Sequence, residues 1–125
     1  MFSKHVSEVP GTEFPAGRLT RVVIGPQCEI KARHMVLGHV TIYPGGAVPL
    51  HQHEQEEVYT VIAGEGEITV GGETRPVRPV SMTYIPSNQP HSLVNTGTAD
   101  LVMLFAYSPA GIVDHWQEEL EGKLK

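Results

Sequence analysis

The sequence predicts an all-β protein, an antiparallel sandwich or barrel carrying a short C-terminal helix. Three observations lead there. Short runs rich in Val, Ile, Thr, Tyr and Phe recur along the chain, Gly and Pro punctuate them, and no helical period separates them. Thirteen glycines and ten prolines in 125 residues supply the breaks.

Residues 1–17 form a polar, Pro-punctuated arm that either frays or lies along another strand. The barrel domain spans 18–110. Its strand candidates are LTRVVIG (19–25), HMVLGHVTIYP (34–44), EVYTVIAG (57–64), GEITVGG (66–72), VSMTYIP (80–86), HSLVNTG (91–97) and LVMLFAYSP (101–109). AGEGE and VGGE are tight-turn candidates, because glycine tolerates positive φ. Residues 111–125 read as a helix, with Ile112, Trp116 and Leu120 four apart on one face and Asp114 as a possible cap. Trp116 is the natural anchor of that helix to the barrel.

Composition excludes several classes. Nine basic and fourteen acidic residues give a formal net charge of -5. The basic residues are scattered, which argues against nucleic acid, whose phosphates demand a concentrated positive face. No apolar run has signal-peptide or membrane-spanning length, so a cytoplasmic setting is expected. The single cysteine, Cys28, permits no internal disulfide framework and reads as a small half-buried apolar residue.

The chemistry concentrates in PGGAVPLHQHEQEEVYTVIAG (44–64). Residues i and i+2 of a strand share a side, so His51 and His53 project together, roughly 6–7 Å apart at Cα, and can converge on one ion. Glu57 has the same parity, but a straight strand would carry it roughly 20 Å beyond His51. The polar stretch 54–56 must therefore turn the chain, so that the following strand returns antiparallel with Glu57 facing the histidines. Two imidazoles and a carboxylate leave coordination positions open, which suits iron or another divalent transition metal. A fourth ligand would come from His5, His34, His39, His91 or His115. His91 opens an apolar strand after the turn PSNQP, a strand-mouth position like that of His51. His34 and His39 have opposite parity, so at most one looks inward. No His-Glu-x-x-His helix is present, and one cysteine cannot build a thiolate zinc site.

At this point the residues resemble the cupin superfamily. Gly45, His51, His53, Glu57 and Gly64 match every spacing of its first motif, and Pro86, His91 and Asn95 match its second. Val80 and Asn88 stand where glycines are usual, and asparagine tolerates the left-handed region. The resemblance covers residues 38–107. It implies a six- or eight-stranded jelly-roll barrel with a metal in one mouth, held by His51, His53, Glu57 and His91, and a structural role for Asn95. The metal would be iron, manganese, nickel or zinc. The resemblance does not fix the reaction, since cupins include dioxygenases, isomerases, epimerases, decarboxylases, lyases and non-catalytic binders.

With two positions open on the ion, the expected function is a metal-dependent enzyme, a dioxygenase-like oxidoreductase acting on a small oxygenated molecule. The alternatives are a metal-dependent isomerase or lyase, or a non-catalytic module binding a sugar or carboxylate. Alternation points Tyr59 and Val61 inward and places Met82, Tyr84 and Leu93 on the pocket wall. Tyr59 and Tyr84 are the candidate catalytic residues, as donors of a proton or hydrogen bond. On the last strand, either Met103, Phe105 and Tyr107 or the alternate set faces in. Arg18, Arg21, Lys31 and Arg33 are unranked candidates for a cation near the mouth. Unpaired sheet edges and the apolar residues of the arm suggest a homodimer in which the arm or an early strand crosses to a partner.

Overall fold

The computed structural model describes residues 1–111 and 119–121. Ten strands follow one another: β1 (Thr12–Phe14), β2 (Arg18–Ile24), β3 (Val36–Ile42), β4 (Ala47–His51), β5 (Glu56–Ala63), β6 (Gly66–Val70), β7 (Glu73–Val77), β8 (Met82–Ile85), β9 (His91–Asn95) and β10 (Leu101–Ser108). One sheet has the order β1-β2-β3-β10-β5-β8 and the other β4-β9-β6-β7. All strand pairs are antiparallel. This is the jelly roll. Of the expected C-terminal helix, Ile112, Asp114 and Trp116 lie outside the described residues. No described helix is long and apolar enough to cross a membrane.

Period-two alternation builds the core. On β3, Val36, Gly38, Val40 and Ile42 are buried while Leu37, His39 and Thr41 are only half-buried. On β10, Leu101, Met103, Phe105 and Tyr107 face inward and Leu104 faces out, which resolves the open parity of that strand. The two inner faces meet in one cluster with Val61, Ile68, Ile85 and Leu93. Gly64 takes φ +81° between β5 and β6, and a Cβ there would meet Asp100 O at 2.4 Å. Only glycine satisfies both demands.

Three strands escape the sequence reading, and one is misphased. β7 is exposed at every position except Val77, so it has no apolar alternation to read. It contains Pro76 and lies at a sheet edge, where a missing N–H is tolerated. β4 had only its histidine as a signal. β1 lies within the arm and pairs with the chain's own β2, Phe14 opposite Arg18. That part of the arm folds back in cis.

The misphased strand is β8. Its register sets Ile85 opposite Glu57 and Thr83 opposite Tyr59, so Met82 and Tyr84 fall on the outer face. They are 72% and 57% exposed, and the inward positions of the strand belong to Thr83 and Ile85.

Asn95 ties the sheets together. From β9 its amide donates to Ile42 O at 2.9 Å and Ala99 O at 2.8 Å, and its carbonyl accepts from Gly97 N at 2.9 Å. Asn95→Ala would remove all three hydrogen bonds, the buried one to Ile42 O among them, and should cost about 1–3 kcal/mol. Thermal or urea denaturation checks it, and a loss under about 0.5 kcal/mol would remove the structural role.

Candidate metal centre

Each imidazole is fixed first by its own backbone. His51 Nδ1 lies 2.7 Å from Pro49 O, His53 Nδ1 2.9 Å from Gln55 O, and His91 Nδ1 2.8 Å from Gln89 O. A carbonyl only accepts, so Nδ1 carries a proton in all three rings, and Nε2 is the atom that can offer a lone pair whenever the ring is neutral. That is the tautomer a metal needs, with the orienting hydrogen bond already made.

The elements then bring the four groups together. β4 and β9 pair so that His51 stands opposite His91, and their ring centroids are 4.1 Å apart. Residues 52–55 cross from one sheet to the other, so β5 faces β4 across the barrel rather than pairing with it. Glu57 thereby points back at the histidines. The turn after β8 closes over this crossing, with Asn88 N donating to His53 O at 2.8 Å. Asn88 holds φ 61°, the left-handed conformation that its place in the motif requires.

One donor atom from each of His51, His53, Glu57 and His91 lies within 4.8 Å of the others. An octahedral ion with bonds of about 2.1 Å spaces its donors by about 3–4.2 Å, so the set is close to what one cation would gather. His53 Nε2 is 3.2 Å and His91 Nε2 3.3 Å from Glu57 Oε1. His91 is fully buried, and its Nε2 has no partner of hydrogen-bond geometry among the described residues. A buried lone pair without a donor fits a site built for a cation. The residues fit a divalent metal.

Electrostatics agree. Burial pulls His51 down to about 3, and the neighbouring His91 adds to the effect, so this ring is neutral. Burial also opposes the charged form of His53, but Glu57 outweighs it and leaves the ring above its ordinary value. Burial favours protonated Glu57, yet the adjacent His53 and His91 hold the carboxyl below its ordinary range. The other described histidines are not involved. His5 caps a short 3-10 turn at Val6–Glu8, His34 is exposed, and His39 sits on the outer side of β3. His115 lies outside the described residues.

A cavity of about 20 Å³ adjoins the cluster, lined among others by Arg18, Thr20, Tyr59, Met103 and Tyr107. Tyr59 is buried, and burial followed by the Glu57 charge pushes its phenol well above the ordinary value. It can donate a hydrogen bond but is no base near neutral pH. Tyr84 instead donates to Glu56 at 3.0 Å on the surface, far from this role. The β8 register sets Tyr84 on the outer face, outside the cavity lining.

Sequence reasoning left Arg18 unranked among four surface cations, and the structure buries it to 1% exposure. Its guanidinium lies 4.0 Å from the centre of the Phe14 ring and forms a two-pronged ion pair with Glu119. Burial pulls it down to about 10, still protonated at neutral pH, with Tyr59 opposing the shift. The alternation of β2 was a usable signal, since Arg18 shares a parity with Thr20 and Val22. Arg21 is half-buried, and Lys31 and Arg33 are exposed.

The sequence profile of the Cupin domain family matches residues 38–107. The chain is 36% identical over 75 residues to an oxalate-binding protein of Thermotoga maritima, covering 59% of this chain and 60% of that one. It is 27% identical over 115 residues to auxin-binding protein 1 of Arabidopsis thaliana, covering 84% and 58%. The chain thus spans about three-fifths of the length of these two relatives. A crystal structure of a predicted oxalate decarboxylase from Thermotoga maritima superposes with a TM-score of 0.78 at 21% identity, over 87% of this chain and 100% of that one. At that identity the likeness establishes the fold.

A proton and a cation compete for His53. Its raised pKa means the metal-free site keeps that proton to a higher pH than a free imidazole would, so loading must expel it. Metal occupancy should therefore begin to decline on acidification already above the ordinary imidazole value of about 6.5, as equilibrium dialysis at sub-saturating metal would read. An occupancy flat down to about pH 4 would contradict a three-histidine site.

Proposed function

The chain belongs to the cupin domain family, and from that membership we propose that it is a metal-dependent enzyme, a dioxygenase-like oxidoreductase acting on a small oxygenated molecule. The observation that carries the proposal is the set of three Nε2 lone pairs and one carboxylate converging on a point beside a cavity. His51, His53, Glu57 and His91 would hold iron, manganese, nickel or zinc and leave coordination positions free. Such an ion, when bound, supplies Lewis acidity or oxygen activation at those positions.

The chain's own residues do the rest. The three carbonyl-bonded imidazoles hold their lone pairs in place, so little reorganisation accompanies loading. Tyr59, neutral and buried beside His91 at a ring separation of 5.9 Å, is placed to donate a hydrogen bond or proton to a guest in the cavity. Met103, Phe105 and Tyr107 form an apolar wall that limits water.

A second reading is a non-catalytic binding module, which the names of the oxalate-binding and auxin-binding relatives favour. An isomerase or lyase would use the same ligands. The homodimer also stays a proposal, resting on the remaining arm residues, among which Phe2 is 83% exposed. With 12–14 paired in cis, only residues before β1 or another edge are available to the partner. Sedimentation should show a dimer, and a chain monomeric at high micromolar concentration would end that idea.

Metal analysis of anaerobically purified protein should find about one divalent ion per chain, absent from the His51→Ala, His53→Ala double variant. Retention by a folded double variant would overturn the site. Substrate-dependent O2 uptake supports the oxygenase reading. A tightly held small molecule without turnover supports the binder instead.

A further inference from the structure

The Arg18–Glu119 pair is buried, and both side chains are essentially without solvent exposure. A buried ion pair is a poor stabiliser compared with apolar packing, so its position asks for another explanation. Three observations supply one. The guanidinium takes the Glu119 carboxylate in two-pronged fashion, Nη2 donating to Oε1 at 2.8 Å and Nη1 to Oε2. This geometry is specific for carboxylates and related planar oxyanions. Arg18 belongs to the same cavity wall as His51, His53 and Glu57, so the carboxylate-binding group and the ligand cluster face one space. Two residues along β2, Thr20 is 5% exposed on that wall, and its Oγ1 has no hydrogen-bond partner among the described residues. A buried hydroxyl without a partner beside a cation is an unused donor for an anion.

The free space is small. About 20 Å³ admits a water-sized guest, for which about 10–15 Å³ suffices, and no organic acid. An organic guest in this cavity must therefore displace a group already held at its wall, and Glu119 is a carboxylate paired with one wall residue, Arg18. We propose that Arg18 and Thr20 form the subsite for a carboxylate of the small molecule this barrel binds, and that Glu119 is a built-in competitor for it. This rests on the proposed function for the existence of a ligand, and it names that ligand's class as a small carboxylic acid. A guest carboxylate would take the guanidinium fork, accept from the Thr20 hydroxyl and leave its remaining atoms directed toward the ligand cluster. Phe14 backs the guanidinium at 4.0 Å and keeps it in place while partners exchange. The apparent affinity for such an acid is reduced by the fraction of molecules in which Glu119 holds the subsite.

The test uses the full-length chain, metal-loaded and metal-free, with glutarate as the probe, because its end group reproduces a glutamate side chain. Its uncharged diamide is the control. By calorimetry, Glu119→Gln should bind glutarate at least ~10-fold more tightly than the parent, while the diamide gains nothing. Adding Arg18→Gln should abolish the gain, and adding Thr20→Val should reduce it. If Glu119→Gln does not fold, Glu119→Asp provides the same comparison, since its carboxylate falls one methylene short of Arg18. A folded Glu119 variant with unchanged glutarate affinity overturns the proposal and leaves a purely structural ion pair. So does a gain that survives the loss of Arg18. Failure of the metal reading is separate, because it appears as absent metal in the parent while the Arg18-dependent gain persists in metal-free protein.

Discussion

An imidazole inside an apolar barrel has to satisfy two ring nitrogens, and the barrel's own backbone can reach only one of them. That constraint organises the site. Carbonyls two residues away along the chain, at Pro49, Gln55 and Gln89, take the Nδ1 protons of His51, His53 and His91. The Nε2 atoms are left pointing at one another and at Glu57. Four acceptors gathered out of water repel unless a positive charge lies among them, so a proton or a metal must occupy the centre. The raised value of His53 and the lowered value of Glu57 are the metal-free answer to that demand. The jelly roll makes the convergence possible by placing β4 and β9 in one sheet and β5 in the other.

The candidate ligand cluster was legible because the spacing of its residues is written in the sequence. Strand parity is not what joins His51 and His53, because β4 ends at His51 and His53 lies in the crossing that follows; the motif spacing is what carried His53, Glu57 and His91 to the same mouth. The turn at Asn88 was legible for the same reason, since a left-handed backbone leaves a residue-level trace. Tyr84 was not. Its strand has apolar and aromatic residues at Met82 and Tyr84 but turns Thr83 and Ile85 inward, and only the register against β5 sets which pair faces in. A four-residue strand with side chains of similar character on both faces carries too little contrast to reveal its phase.

Arg18 illustrates a different limit. Alternation along β2 put it on the inward face, but a lone arginine is ordinarily a solvated surface residue. What reverses that expectation is long-range. Its carboxylate partner is 101 residues away in the sequence, and its aromatic support comes from the arm. No local pattern encodes such a pairing. β7 fails for a related reason, because an edge strand exposed on almost all its length owes its existence to its neighbour β6 rather than to its own composition.

The two buried charges are not independent of the ligand cluster. Tyr59 stands between them: the Glu57 charge raises its phenol further and the Arg18 charge opposes that rise. A cation entering the cluster would offset Glu57 and strengthen the positive potential already set by Arg18, in a medium where charges are poorly screened. The interior would then favour anions at both ends of one small cavity. Glu119 answers part of that demand from within the chain. A molecule carrying a carboxylate at one end and an oxygen donor at the other would answer both at once. The same scarcity of polar partners that constrains the imidazole tautomers would therefore also select the chemistry of a guest.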